Sequence, residues 1–368
     1  QYTGMTSSKS PPAWDLLYIN KNGKYFEEKS YDYNLHYIGL GFGGVFTDYD
    51  NDRDLDLLVI NDFGYKFTPN KLFRNEYPRK KFTDVSEQMG MDYGMSAMGT
   101  AVGDYNNDGW LDYFFGNILN SPLAVNQGPG KPFLDLSEEL GAAIKFLTNK
   151  DGRPVTTISW GINFLDFDND TDIDLFITMG SLNPDEKPIP NVLLINDNHR
   201  FIQTGAESSL SDTYIGRGSV TFDYDNDGDL DLFIVNQSSV SSSFEGYENL
   251  SSRLYRNDAA TGNWMKIKLE GSRSDVNGIG SRVEVYTDNV LMIREIDGGS
   301  SHESQNSKIA HFGMKEYKTA DSIIVKWTSG ATQKLFDLEV NQTITMQEPF
   351  EFTTWEKFVL FLYTLPYV

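Results

Sequence analysis

The chain has 368 residues, enough for two domains and a substantial core, and its 53 acidic against 31 basic residues give a formal charge of −22. That sign argues against nucleic acid as a partner. There is no cysteine and there are only four histidines, which excludes disulfides and thiol nucleophiles and leaves little for a Cys/His zinc site. The first residue is Gln1 and no charged, then apolar, leader precedes the fold, so any signal peptide is expected to have been removed.

In chain order, "LLYIN" from Leu16 reads as a first strand. "GLGFGG" then fits G-x-G-x-x-G through Gly39, Gly41 and Gly44. A dinucleotide fingerprint needs a helix next, whereas the sequel "VFTDYDND" is a strand entering an acidic loop, so these glycines predict a tight turn between sheets. The loop, "DYDNDRDLD" from Asp48, runs into apolar "LLVIN". The pairing recurs as "DYNNDGWLD" from Asp104 before "YFFGN", "DFDNDTDID" from Asp166 before "LFITM" and "DYDNDGDLD" from Asp223 before "LFIVN", with starts 56, 62 and 57 residues apart. Between the loops lie "KLFRN" at Lys71, "PLAVN" at Pro122, "VLLIN" at Val192 and "RLYRN" at Arg253, most followed by a turn and a strand such as "KFTDVS" or "RFIQTG". Each period therefore holds about four short strands, the content of one propeller blade, with a β-sandwich bearing acidic turns as the alternative.

Eighteen of the acids lie in the four loops. Like charges this close oppose one another most strongly beside a low-dielectric interior, so the loops require a counter-charge. The loop from Asp223 contains no Lys, Arg, His or Cys and offers only hard oxygen ligands, the set that Ca²⁺, Mg²⁺ or Mn²⁺ prefers. Its first, third, fifth and ninth side chains can turn oxygens inward, the seventh residue can offer its carbonyl, and Gly228 allows a sharp turn, a cage suited to Ca²⁺. An EF-hand would need Glu at the twelfth position and a helix, but Ile234 stands there in a strand-like run. Four Ca²⁺ would bring the formal charge from −22 to −14.

These loops ahead of apolar strands resemble the FG-GAP/VCBS repeats of integrin-type β-propellers, from about Leu16 to Asn257. The resemblance implies a calcium-binding propeller with about four sites. Its ligands would be Asp48, Asp50, Asp52 and Asp56; Asp104, Asn106, Asp108 and Asp112; Asp166, Asp168, Asp170 and Asp174; and Asp223, Asp225, Asp227 and Asp231. Asp54, Trp110, Asp172 and Asp229 would add main-chain carbonyls. Arg53 and Thr171 replace the turn glycine, at about 1 kcal/mol if that position needs positive φ, and Asn106 removes a charge from the second site. The loop at Asp223 keeps both and is expected to be the tightest. Affinities of about 10⁻⁴ to 10⁻³ M, suited to an extracellular calcium level, are expected. The chain enters in the second half of one blade and supplies three full blades and most of another, so an incomplete set is expected, completed by further blades or by a neighbouring chain.

After Asn257 the acidic loops stop. "NWMKIKLEG", "GIGSRVEVYT", "VLMIREIDGG", "DSIIVKWTSG" and "TITMQEP" alternate apolar and polar residues between glycine turns, which predicts a small antiparallel sandwich. Together with "GGSSHESQN" and "HFGM", these stretches resemble the ASPIC/UnbV domain. The expected division is a propeller over 1–260, the sandwich over 261–349 and an apolar tail over 350–368. His302 beside Ser300 and Ser301 reads as a polar turn and not a triad. Trp14, Trp110, Trp160 and Trp264 read as packing between blades more than as a sugar site. Asn169, Asn236, Asn249 and Asn341 head N-x-S/T sequons, Asn249 being the most accessible candidate for a glycan. The tail from Phe350 is expected to dock on a neighbouring chain, with packing on its own domain or a truncated membrane anchor as the alternatives; its apolar stretch of about 14 residues is short of the roughly 20 that cross a bilayer.

The expected function is that of an extracellular, secreted or cell-surface, non-enzymatic scaffold or adhesion protein braced by calcium. Its partner would be another protein or a second copy, met through the tail and the propeller edge. A carbohydrate-binding or carbohydrate-degrading secreted protein is the alternative, although the conspicuous carboxylate pairs are held as ligands and unavailable as general acids.

Overall fold

The computed structural model describes residues 13–144, 157–181, 189–204, 209–210, 214–237 and 251–350. Among these there is no α-helix, and the fold is all-β. Gly41–Thr47, Asp56–Asn61, Lys71–Asn75 and Phe82–Asp84 form a first antiparallel sheet in chain order. Gly99–Gly103, Asp112–Gly116, Leu123–Val125 and Leu134–Asp135 form a second, and Ser159–Leu165, Asp174–Met179, Val192–Asp197 and Arg200–Gln203 a third. The fourth holds Gly216–Phe222, Asp231–Asn236 and Arg253–Tyr255. Ahead of them a hairpin pairs Tyr18–Lys21 with Tyr25–Glu28. Half a blade, three full blades and most of another are thus present, and none of the sheets closes on itself.

Successive sheets stack face to face. Leu58, Ile60 and Leu72 of the first share a core with Tyr113 and Phe115 of the second. Phe114 and Leu123 of the second join Ile162 and Ile177 of the third, and Phe176 and Leu193 of the third join Leu232 and Ile234 of the fourth. Consecutive residues of a strand point to opposite faces, so Phe114 packs one way and its neighbours the other. A strand buried on both sides must be apolar throughout, which is why "YFFG" lacks polar alternation.

The glycines of "GLGFGG" lie in strands, contrary to the expected turn. Close packing explains them: a Cβ on Gly39 would come 2.6 Å from Asn61 Oδ1, and one on Gly41 2.7 Å from Asp15 Oδ1.

Asn263–Glu270 lies between Ala310–Lys315 and Gln342–Gln347 in one C-terminal sheet, and Val290–Glu295, Arg282–Thr287, Thr319–Lys326 and Thr332–Glu339 make the other. Between them sits a separate core that includes Met265, Val285, Phe312, Ile323 and Trp327. The sandwich is not wholly antiparallel, because Asn263–Glu270 pairs in parallel with Gln342–Gln347. The chain between those two strands crosses to the other sheet and back, so no hairpin forces them to oppose.

The segment from Gly298 to Ser307 leaves this sandwich and runs along the first strands of the repeat sheets. Thr100 N donates to Ser300 O at 3.1 Å and Ile162 N to Ser301 Oγ at 2.8 Å, while Thr221 N reaches Asn306 Oδ1 at 3.0 Å. The His302 ring lies between Phe42 and Trp160, with centroids 5.5 and 4.7 Å away, and its Nδ1 donates to Met98 O at 3.0 Å. The expected polar turn is therefore a bridge between the two halves of the molecule. Residues 351–368, which hold nearly all of the apolar tail, lie outside the described residues.

Candidate metal centres

Each acidic nonapeptide connects the first two strands of its sheet, with the ninth residue paired opposite the residue before the first: Thr47↔Asp56, Gly103↔Asp112, Leu165↔Asp174 and Phe222↔Asp231. The first carboxylate accepts the N–H of the sixth residue, at 3.2 Å for Asp48, 2.9 Å for Asp104, 3.1 Å for Asp166 and 3.0 Å for Asp223. The fifth carboxylate accepts the N–H of the seventh residue in every loop. The ninth accepts the N–H of the second residue on one oxygen. Its other oxygen takes the N–H of the asparagine at the end of the third strand or just past it: Asn75 at 2.7 Å, Asn126 and Asn196 at 2.8 Å, Asn257 at 2.9 Å. Two positive-φ residues let the chain curl around these acceptors. They are the fourth position (Asn51, Asn107, Asn169, Asn226) and the sixth, where φ is 77° at Arg53, 92° at Gly109, 86° at Thr171 and 103° at Gly228.

Oxygens of the first, third and ninth side chains converge in three loops: Asp48, Asp50 and Asp56; Asp166, Asp168 and Asp174; Asp223, Asp225 and Asp231, each set within 4.8 Å. The second loop brings Asp104 and Asp112 to the same places, with Asn106 in the third seat donating to Asp108 Oδ2 at 3.0 Å. Asp48 Oδ1, Asp168 Oδ1 and Asp223 Oδ1 are buried with no hydrogen-bond donor. A buried carboxylate oxygen without a donor is costly, and a hard divalent cation satisfies it. The donor set therefore fits Ca²⁺. The fifth side chains, Asp52, Asp108, Asp170 and Asp227, spend an oxygen on the turn and stand outside the three converging sets.

Electrostatics agrees. Burial, with the neighbouring acids adding to it, raises Asp48 to about 6; burial likewise raises Asp56 to about 9 against the N–H of Asn75. It lifts Asp104 and Asp166 to about 7 and drives Asp112 and Asp174 well above the usual carboxylate range. A cation would hold these groups ionised.

The loops are also stitched to one another. Asn51 Nδ2 donates to Gly109 O at 3.0 Å, Asn107 Nδ2 to Asp172 Oδ1 at 3.0 Å and Asn169 Nδ2 to Asp229 Oδ1 at 2.9 Å, so each loop holds the next. The asparagines at the ends of the third strands reach back: Asn126 to Tyr49 O, Asn196 to Tyr105 O and Asn257 to Phe167 O. The C-terminal sandwich covers the row. Glu295 accepts the Asp48 N–H, Arg282 donates to Gly109 O and Asn51 Oδ1, Gly313 N donates to Asp166 Oδ2, and His311 donates to Gly228 O. Neither asparagine role was inferred from the sequence, although an asparagine stands at both positions in all four repeats and makes the contact between loops in three of them. The sandwich contacts carried no such repeat to find them by.

The tryptophans do not gather into one site. Trp160 is buried beside His302, Trp264 packs on Gly228, Trp110 lies near Gly128, and Trp14 is half exposed and stacked on His36 at 3.7 Å. Of the sequons, Asn169 and Asn236 are buried and donate to Asp229 Oδ1 and Ser251 O, which leaves no room for a glycan. Asn341 donates to Asn263 Oδ1, and Asn249 lies outside the described residues.

Cartilage acidic protein 1 of Xenopus tropicalis is 25% identical over 320 residues, covering 83% of this chain and 45% of that protein. The Mus musculus protein of the same name is 26% identical over 303 residues, covering 80% and 43%. The chain thus spans less than half the length of these curated relatives. Among solved structures it is similar to an Agrocybe aegerita lectin recognising non-reducing terminal N-acetylglucosamine, at 15% identity and a TM-score of 0.32, over 58% of this chain and 52% of that one. A superposition that loose says nothing about ligand. Residues 48–115 and 166–234 match the FG-GAP-like repeat family, and residues 271–351 match the ASPIC and UnbV family. The chain is accordingly an FG-GAP-like repeat protein with a C-terminal ASPIC and UnbV domain.

Proposed function

We propose that this chain is a calcium-braced, non-enzymatic extracellular protein serving adhesion or assembly. Residues 1–260 act as an incomplete propeller that binds Ca²⁺ at its loops, and residues 261–349 act as a sandwich clamped across them. The observation that carries this reading is the set of buried, donorless oxygens on Asp48, Asp168 and Asp223, each beside further carboxylates. In the first, third and fourth loops the ligands would be the first, third and ninth side chains, and in the second Asp104, Asn106 and Asp112. The fifth side chains and the carbonyls of Asp54, Trp110, Asp172 and Asp229 complete the sets. Bound Ca²⁺ supplies positive charge where the fold gathers acids; the protein supplies the hairpins that hold those acids in place. An extracellular location draws support from the relatives, which are named for cartilage. Among the described residues no helix is long and apolar enough to cross a membrane. A protein partner would meet the end sheets of the arc, where Phe42 and Phe46 on the first and Val235 and Leu254 on the fourth are exposed.

Calorimetry of the full chain in calcium and in EDTA, with bound metal counted by elemental analysis, tests the reading. The melting temperature is expected to fall by about 10 °C or more on chelation. An unchanged melt with the metal verifiably gone would overturn it.

A further inference from the structure

The four loops do not meet the sandwich in the same way. At the third, Gly313 offers Asp166 Oδ2 an N–H at 3.1 Å and the buried guanidinium of Arg294 acts on the same carboxylate without ion-pairing to it; at the first, Glu295 takes the Asp48 N–H and leaves Asp48 Oδ1 without a donor. At the fourth, the ammonium of Lys266 lies 2.5 Å from Asp223 Oδ2, with the two side chains only 8% and 4% exposed. Among the described residues, no other carboxylate of the loops is ion-paired with a lysine or arginine.

Lys266 is also held in place. It sits on Asn263–Glu270, the central strand of its sheet, and its ammonium lies 4.8 Å from the centroid of the Trp264 ring. That ring presses on the fourth loop so closely that a Cβ on Gly228 would fall 1.8 Å from Trp264 Nε1. Asp223 Oδ1 meanwhile remains without a donor and joins Asp225 and Asp231 in the converging set. A divalent cation bound there would share the Asp223 carboxylate with a fixed, desolvated ammonium, and like charges at that range repel strongly in a nearly dry interface.

We propose that Lys266 is the resident counter-cation of the fourth loop, which makes this loop the weakest calcium site and ties its occupancy to the seating of the sandwich. This rests on the calcium reading and reverses the expectation that Asp223 anchors the tightest site. The coupling is reciprocal: what Lys266 costs the metal, the metal costs the contact between Lys266 and Asp223. The first and third loops would fill while the sandwich stays seated, and the fourth would fill only at its expense.

Terbium, a luminescent substitute for Ca²⁺, tests this in the full chain. Trp264 sensitises an ion in the fourth loop, Trp110→Phe silences the tryptophan of the second loop while keeping its main-chain carbonyl, and subtracting the emission of Trp110→Phe/Trp264→Phe protein removes that of Trp327, which lines the cavity beside Asp48 and Arg53 of the first loop. In Trp110→Phe protein, the Trp264-sensitised emission should saturate only after the other sites, counted by equilibrium dialysis, have filled. Adding Lys266→Met should move its midpoint to about tenfold lower terbium, within the usual span of coupled sites, while Lys266→Arg should leave it within about twofold. Emission that saturates first in the protein with Lys266 intact overturns the proposal whether or not Lys266→Met folds. So does a folded Lys266→Met protein whose midpoint is unchanged or higher while the other loops still bind. Retention of no terbium at any loop would instead overturn the calcium reading, and this inference with it.

Discussion

Glu348 in the sandwich and Asp56 in the first loop are both buried carboxylates, and the two halves of the molecule treat them in opposite ways. Burial pushes Glu348 up, but the N–H groups of Ser272, Arg273 and Ser274 and the hydroxyl of Ser329 surround it and hold it at about 2. Asp56 accepts only the N–H groups of Asn75 and Tyr49, has other acids close by, and rises to about 9. At Glu348 the sandwich supplies its own donors, whereas its Glu295, buried over the first loop with only partial compensation from the Asp48 N–H, rises to about 8 like the acids it faces. The repeat region buries apolar faces between successive sheets and gathers at their ends eighteen acids, of which the chain ion-pairs Asp223 with Lys266.

Acidity separates the two halves most sharply. Groups whose folded pKa is raised, such as Asp56 near 9 and Asp104 and Asp166 near 7, stabilise the metal-free fold at pH values below their unfolded range near 4. That contribution is lost as pH rises through 7 to 9. His311, held down at about 4 by burial, and His302, also lowered by burial, oppose the trend as pH falls below 6.5. Glu348, depressed to about 2, stabilises above pH 4.5 and loses its contribution as pH falls toward 2. In EDTA, hydrogen exchange resolved by peptide should therefore show the repeat strands less protected at pH 8 than at pH 5, and the strand Gln342–Gln347 less protected at pH 3 than at pH 5. Calcium should abolish the first change. Repeat strands that gain protection from pH 5 to 8 without metal would mean that the loop acids are satisfied by the protein after all.

A smaller effect distinguishes stitching from metal binding. Asn196 Nδ2 donates to Tyr105 O at 2.8 Å and to Ile173 O at 3.1 Å, tying the second and third sheets. Asn196→Ala leaves two buried carbonyls short of a donor and should cost the repeat region about 1–3 kcal/mol in urea unfolding, with the calcium stoichiometry unchanged. A variant as stable as the parent would show that face-to-face packing alone holds the blades together.

Much of this was legible because the repeats print the same physics several times. "KLFRN" and "VLLIN" mark strands at Lys71–Asn75 and Val192–Asp197, and the acidic loops fall where each first strand turns into the second. Thr332–Glu339 escaped notice because it is a largely exposed edge strand, with Phe336 63% exposed and no apolar alternation to mark it. The bridge from Gly298 to Ser307 looked like an ordinary polar turn, since its hydrogen bonds go to Thr100, Ile162 and Thr221, far away in sequence. Lys266 was hidden for the same reason. The sequence around Asp223 shows no cation, and only the folded contact brings one from another domain.

The smallest expected effect concerns the turn inside one loop. Thr171 holds φ at 86°, where Gly109 and Gly228 stand in the second and fourth repeats. A β-branched residue in that region is strained, and its place here is fixed by the N–H it donates to Asp166 Oδ2 at 3.1 Å. Thr171→Gly keeps the N–H and relieves the strain, so the repeat region should gain about 1 kcal/mol, or about 2–4 °C in melting temperature. Arg53→Gly is a less clean comparison, because Arg53 also donates to Thr332 Oγ1 at 3.3 Å across the domain contact. The sandwich should not respond to Thr171→Gly, as its core lies elsewhere. If the variant melts lower than the parent, the nearly buried threonine contributes more by packing than it costs in strain, and the missing glycine in the third loop is not a defect.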